Sequence, residues 1–518
     1  MLTQTLPAKP GVQNRFMMQS ITRWTLLGLI FAASLYLVIA LYAQGQTAFA
    51  LLFLVVLGGL LYVFVNPRTY AHRYIYPSLA GMVIFIIFPL FYTVGIGFTN
   101  FSASNLLDFE RVKQVLLSQT YQAGGAPYDL RVYPRGEDNS DARVELVLSR
   151  DDAGVLSSGP IDLAEAATHA LRPVDESALA GEALPVRELI RLKPQLANQV
   201  LRIGEETLTL SGLRSFASVA TLYTVATDDR LTNNQTGVSY IPNHEIGFYE
   251  DAAGNYLTPG WTVTIGWGNY LKVLTDDTIR KPFLQIFAWT IAFALLTVLF
   301  TLAVGLLLAN LLQWDQIKGK AFYRMMLILP YAVPAFISIL VFKGLFNQNF
   351  GEINLVLEKL FDVRPDWFSD PTLARSMLLI VNTWLGYPYM MLLCMGLLQA
   401  IPRDLYEASA MDGATPLDNL FHITLPNLIK PLMPLLIASF AFNFNNFVLI
   451  ALLTGGAPDI IGATTPAGTT DLLVSYTYRI AFQDSGQNFG LAAAIATAIF
   501  LLVGSLSLLN LKLSKVQV

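Results

Sequence analysis

Charged residues are scarce in this chain: Asp, Glu, Lys and Arg make up 14% of its 518 residues, against 54% for hydrophobic ones. Mean hydropathy is +0.50. Soluble domains carry roughly a quarter charged residues, so this composition excludes a soluble protein and indicates an integral membrane one. Cysteine is nearly absent: Cys394 stands alone, inside an apolar run. No intrachain disulfide can form, and any soluble segment must fold on its own core. Of the four histidines, His169 and His244 are isolated within the polar part of the chain, which reads as surface or packed histidine and not as metal ligation. No metal or cofactor is expected, and no catalytic constellation marks the chain as an enzyme. An excess of basic charge is lacking too, the net charge being -4, which excludes a nucleic-acid partner. Finally, no GxxxxGK[ST] stretch occurs. "IKGKAFYR" has Gly319-Lys320 without the upstream glycine or the following Ser/Thr, so phosphate-loop binding of ATP is excluded.

What is present divides sharply. Apolar runs long enough to cross a lipid bilayer, about 20 residues each, fall at 24–43, 47–65, 74–98, 283–313, 325–346, 377–401, 431–454 and 489–511. The first has no A-x-A-like cleavage site and reads as a retained helix. Between the third and fourth runs lies ordinary mixed sequence, rich in Asp, Glu, Gly and Pro. The expected class is an all-α polytopic membrane protein of about eight spans with an inserted extracytoplasmic α+β or β-rich domain. The segments are 1–73 (cytoplasmic tail and two spans), 74–98 (third span), 99–282 (inserted domain), 283–511 (membrane core) and 512–518 (cytoplasmic tail). Lys9, Arg15, Arg23, Arg68, Arg73, Lys318, Lys320, Arg324, Arg403, Lys430, Lys512 and Lys515 gather on one side of the spans. By the positive-inside rule both termini are cytoplasmic and the large domain is outside. Within that domain "ARVELVLS" and "ETLTLSG" alternate as strands do, while "DLAEAATHAL" and "VRELIRLKPQL" have helical spacing.

Between two apolar runs stands EASAMDGATPLDNLFHITLP, Glu407 to Pro426. Pro402 precedes it, and Asp404 with Glu407 reads as an N-cap with its capping-box acid. Gly413 sits where a helix C-terminus calls for a left-handed residue. Thr415-Pro416 supplies a second N-cap with proline at the first helical position, and Leu425-Pro426 is expected to stop that second helix. The spaced pattern Glu407-Ala408-Ser409, Gly413, Ile423, Leu425-Pro426 resembles the EAA motif of ABC importer permeases, with Ser at the third place where Ala is commonest. The resemblance implies that the loop 402–430 docks these residues into a separate ATPase subunit.

Two spans carry polar residues that hydrocarbon should exclude. In "VNTWLGYPYMM", Asn382, Leu385, Gly386 and Tyr389 fall at i, i+3, i+4 and i+7; in "ASFAFNFNNFVLI", Ser439, Phe442, Asn443 and Asn446 repeat that spacing. Pro388 is expected to kink the first helix. Asn445 points elsewhere, as for an interhelical hydrogen bond. Amides that donate and accept, with aromatic rings and no charge, suit a neutral polyhydroxy ligand; a charged substrate would want an ion-pair partner at this depth. Another neutral sugar or polyol is the runner-up, and a secondary transporter would need an intramembrane acid or histidine that is missing. "NTWLGYPYMM", "LYEASAMDGA", "TTPAGTTDLLVSYTYRIAF" and "FGLAAAIATAIFLLVG" resemble the maltose/maltodextrin permease subunits of ABC importers across the second half of the chain; the span layout and the domain after the third span agree. The resemblance implies a sugar site on the two faces named above. It also implies a second homologous permease, an ATPase homodimer, a periplasmic maltose-binding protein, and maltose or maltodextrin as cargo within the bilayer of a bacterial inner membrane.

Overall fold

Apolar runs that cannot hydrogen-bond to lipid satisfy their backbone internally, as helices. In the computed structural model these runs are α1 (Pro10–Ala43), α2 (Thr47–Val65), α3 (His72–Gly97), α4 (Asp277–Gln313), α5 (Lys320–Ala332), α6 (Ala335–Leu345), α7 (Pro371–Leu398) and, past a short α8 (Arg403–Met411), α9 (Pro416–Phe444). Then follow α10 (Phe447–Leu453), α11 (Leu473–Phe482) and α12 (Phe489–Leu513). The structure describes residues 10–513 apart from 136–142, 152, 165, 180, 205 and 315; Lys9, Lys515 and most of the expected tail at 512–518 lie outside them. Met1–Phe98 and Gly266–Val518 form one unit, Thr99–Ile265 a second.

Among the described residues six helices are long and apolar enough to cross a membrane, seven if α5 and α6 count as one span, while the apolar part of α12, Phe489–Ser505, is shorter. The eight expected spans are therefore not all single helices. The run at 325–346 bends by 91° between α5 and α6, where Pro334 lacks an N–H and restricts Val333 to extended backbone. The run at 431–454 breaks after Phe444, and the Asn446 side chain accepts from Leu449 N to cap α10. Elsewhere proline is absorbed. Pro89 and Pro426 each stand one residue past a five-residue π turn, Val83–Ile87 and Leu420–Thr424. The wide turn shifts the hydrogen-bond register just before the ring, Leu425 N donating to the Leu420 carbonyl, and the helix runs on through the proline. The expected stop at Leu425-Pro426 does not occur for this reason.

The helices α4 and α7 pack most closely. A Cβ on Gly305 would lie 2.7 Å from Met391 N, and one on Gly386 would lie 2.8 Å from Thr301 Cγ2. Small residues at such crossings let backbones approach where no hydrophobic force drives helices together. Towards one end of the pair Trp289, Phe293, Met377 and Val381 are buried, towards the other Leu306, Ala309, Met391 and Cys394.

The second unit is β-rich. Its eight-stranded sheet runs in the order Thr168–Ala170, Val200–Ile203, Glu206–Leu210, Ser215–Ala217, Tyr128–Pro134, Arg143–Arg150, Gly154–Asp162, Arg172–Pro173. Tyr128, Leu130 and Val132 alternate inward, and the helix Val186–Leu196 adds Leu189 and Leu196 to the same core. A five-stranded meander from Tyr223 to Leu257 covers a separate core of Val112, Leu116, Tyr249 and Trp261. The helical expectation for "DLAEAATHAL" is wrong. Asp162 ends a strand, and Thr168–Ala170 pairs in parallel with Val200–Arg202, so sheet pairing overrides a short apolar spacing that either period could claim. His169 bonds the Gln199 side chain at 3.0 Å, and His244 packs on the Phe109 and Trp261 rings.

Candidate functional site

Three helical elements bring neutral polar groups to one place. Asn382 of α7 donates from Nδ2 to Asn443 Oδ1 of α9 at 2.8 Å and to Thr297 Oγ1 of α4 at 3.2 Å. Its Oδ1 accepts from Asn446 Nδ2 at 3.2 Å. Asn443 Nδ2 in turn donates to the Ser439 carbonyl at 2.8 Å. Asn382, Asn443 and Thr297 are buried. Each buried amide would be costly alone, and the three saturate one another. Every group in this network is uncharged and most can both donate and accept, so sugar hydroxyls could replace the internal bonds one for one.

The other expected residues do not join it. Leu385 packs with Trp289 and Phe293, and Gly386 packs on Thr301. Tyr389 is 39% exposed and Phe442 72% exposed. Spacing of i+7 keeps a face but moves about 10 Å along the axis, so Tyr389 sits two turns from Asn382. Asn445 bonds the Ala441 carbonyl of its own helix at 3.2 Å, not another helix. Sequence reading missed Thr297. Its signal was there: Thr290, Thr297 and Thr301, all buried, recur at i, i+7 and i+11 along one face of α4.

The segment Glu407–Pro426 forms a two-helix handle. Gly413 has φ +79°, and Ala414 N donates to the Ser409 carbonyl at 3.0 Å, closing α8 through a left-handed residue. Thr415 caps α9 in a reciprocal capping box with Asp418, and Pro416 follows as its first residue. The arms are joined by Ser409 Oγ to Asn419 Oδ1 at 2.6 Å and by Tyr406 Oη with Thr424 Oγ1 at 3.0 Å. Asp404 is not the N-cap. Pro402 holds that place, and Asp404 lies in the first turn of α8, where its charge suits the helix dipole. Glu407, Ala408 and Pro426 are exposed, whereas Ile423 and Leu425 pack partly under the handle against a cluster that includes Leu306 and Leu428. Met411, Leu417 and Phe421 are exposed beside them, an apolar surface visible in the sequence as large hydrophobic residues in an otherwise polar loop. A largely apolar groove of about 750 Å³ separates Leu302, Leu306 and Asn310 of α4 from Tyr406, Phe421 and Thr424.

Three family profiles match the chain: "Maltose transport system permease protein MalF P2 domain" over residues 107–266, "Binding-protein-dependent transport system inner membrane component" over 301–512, and "MalF, N-terminal region, transmembrane helices" over 21–68. Curated relatives called "Maltose/maltodextrin transport system permease protein MalF" are similar over nearly the whole chain. That of Klebsiella aerogenes is 54% identical over 504 residues, covering 95% of this chain and 96% of the relative. That of Escherichia coli (strain K12) is 54% identical over 510 residues, covering 96% and 97%. The Vibrio vulnificus (strain YJ016) relative is 52% identical over 526 residues, covering 100% and 98%.

Proposed function

The chain belongs to the MalF family of maltose-transport permeases, and from that membership we propose that it forms the translocation pathway and mid-membrane sugar site of an ATP-driven maltose/maltodextrin importer. It is a non-catalytic, multi-pass inner-membrane subunit. In this reading both termini are cytoplasmic, residues 99–282 form the periplasmic domain that meets the sugar-binding protein, and a second, homologous permease completes the pathway. The handle in the loop 402–430, through Glu407, Ala408, Ser409, Gly413, Ile423, Leu425 and Pro426, docks an ATPase homodimer. Met411, Leu417 and Phe421 enlarge that docking face.

The observation that carries the reading is the closed amide network joining α4, α7 and α9. When ATP draws the ATPases together, the handles move, the network opens, and sugar released from the binding protein replaces the internal bonds. Such an exchange costs little, because each lost hydrogen bond is remade to a hydroxyl. Tyr389 and Phe442 expose their rings for the sugar faces once the second permease encloses them. Ser439, Leu385 and Gly386 line the same path. Energy enters only through differential contact in the two states.

Reconstituted in vesicles with its three partners, the chain should accumulate maltose and maltodextrins only with ATP. Asn443→Ala should lower that transport with assembly intact. Uptake that persists without ATP would overturn the importer reading, and transport of only another neutral oligosaccharide or polyol would overturn the sugar.

A further inference from the structure

Residues 454–472, between α10 and α11, follow no regular helix or strand, yet they are tied at both ends and in the middle. Arg479 of α11 donates from Nη1 to Asp471 Oδ2 at 2.8 Å and from Nη2 to Asp459 Oδ1 at 2.7 Å. Asp471 has no exposed surface. Its Oδ2 also accepts from Gly468 N at 2.8 Å, and its Oδ1 from Ser475 Oγ at 2.7 Å, so the buried carboxylate is fully satisfied. The two limbs of the segment meet backbone to backbone, with a bridge between Asp459 and Gly468. A Cβ on Gly468 would fall 1.9 Å from the Gly456 carbonyl.

This knot is moored to the membrane helices. Arg375 of α7 donates from Nε to the Thr469 carbonyl at 2.9 Å while its guanidinium lies 4.8 Å from the Trp289 ring of α4. Leu473 N donates to Thr290 Oγ1 at 3.1 Å, and Thr464 Oγ1 meets Thr278 Oγ1 of α4 at 2.8 Å. Arg375 precedes Asn382 by seven residues on α7, and Thr290 precedes Thr297 by seven on α4. Arg375 and Thr290 thus stand two turns, about 10 Å, from the amide network. The handle begins α9 and the network lies at its other end, so the moored segment is on the side away from the handle.

We infer that Arg479 is a positioning residue for translocation: by bridging Asp459 and Asp471 it holds residues 454–472 as a fixed lid two helical turns outboard of the amide network and limits entry from the extracytoplasmic side. The direction of entry rests on the proposed function; the lid rests on the bonds just described. Irregular backbone over a helix bundle otherwise drifts among conformations, and the clamp reduces it to one.

The test uses the assembled importer in vesicles, in a Cys394→Ala background with Ser439→Cys as a thiol one helical turn beyond Asn443. A membrane-impermeant maleimide is added outside. Asp459→Asn should raise labelling at position 439 roughly tenfold, the population shift for losing one charge-assisted hydrogen bond, and Arg479→Gln, which loses the bonds to both Asp459 and Asp471, should raise it further. Arg479→Lys, which keeps the charge, should restore most of the protection. Asp459 is the exposed partner, and Asp459→Asn leaves Arg479 paired with Asp471, so that variant folds even if Arg479→Gln does not. Parent-rate labelling of assembled Asp459→Asn would overturn the lid. Unchanged transport by Asn443→Ala would instead overturn the sugar site, with the labelling result unaffected.

Discussion

Replacing Asn382 and Asn443 by alanine, singly and together, measures the amide network directly. Asn382 makes three side-chain hydrogen bonds, to Asn443, Thr297 and Asn446. Interhelical bonds within membranes average about 0.6 kcal/mol and reach about 1.7, so Asn382→Ala should cost about 2 kcal/mol from the bonds alone. It also leaves Asn443 Oδ1 buried with its donor gone, which adds roughly 1–3 kcal/mol. Asn443→Ala removes one interhelical bond and a bond to its own helix, for about 1 kcal/mol. The double variant should cost less than the sum, with a coupling of about 1.6–3.6 kcal/mol: about 0.6 for the bond both singles lose, plus the roughly 1–3 kcal/mol orphan penalty that the double variant escapes. Cys394 supplies the reporter: it is the chain's single cysteine, fully buried, on the same helix as Asn382. Reaction of that thiol with a fluorogenic maleimide across an SDS titration of the purified chain in mixed micelles gives each unfolding free energy. A coupling below about 0.3 kcal/mol, the scatter of independent sites, would refute the network.

Gly413→Val should weaken ATPase retention on the affinity-purified complex while leaving the chain folded. No atom lies within 4 Å of the added Cβ, so the penalty is the left-handed backbone, about 1–2 kcal/mol, concentrated in the turn between the handle's arms; wild-type retention and sugar-stimulated hydrolysis would count against docking. Tyr249 is buried, its hydroxyl has no partner among the described residues, and burial pushes the phenol up to about 12 from 10.0. The folded state then keeps a proton that the unfolded chain releases, so stability is intact below pH 10 and falls by up to about 2.7 kcal/mol as pH rises from 10 through 12. Tyr249→Phe should flatten that decline in alkaline unfolding curves of the full chain and be neutral or stabilising at pH 7; an unchanged alkaline slope would contradict it.

The division into membrane helices and a polar insertion was legible because composition alone separates them. Local chemistry was legible too: Gly413, Thr415 and Pro416 answer to demands of the chain within a few residues, and they took up the expected backbone and caps. Features that depend on distant contacts were not. Nothing near Pro426 tells a π turn from a helix stop, and nothing near Thr168 announces the strand at Val200 that pairs with it. Asn382, Asn443 and Asn446 were found because an amide in a span is conspicuous. Thr297 was passed over because threonine in a membrane helix normally bonds its own backbone. Tyr389 and Phe442 were grouped with the amides by angle, although position along the axis and exposure separate them.

The π turn ahead of Pro426 has a mechanical consequence. Had the helix stopped there, the handle and the membrane span would be two bodies joined by a flexible corner. As it stands, Pro416–Phe444 is one rod of 29 residues, about 43 Å long, with the handle at one end and Asn443 at the other. Pivoted at the handle through only about 5°, such a rod carries its far end roughly 4 Å. That displacement exceeds the 2.8 Å length of the Asn382–Asn443 bond. A small rotation imposed on the handle is enough to part the amides where the helix at Pro431 and Pro434 transmits it without bending.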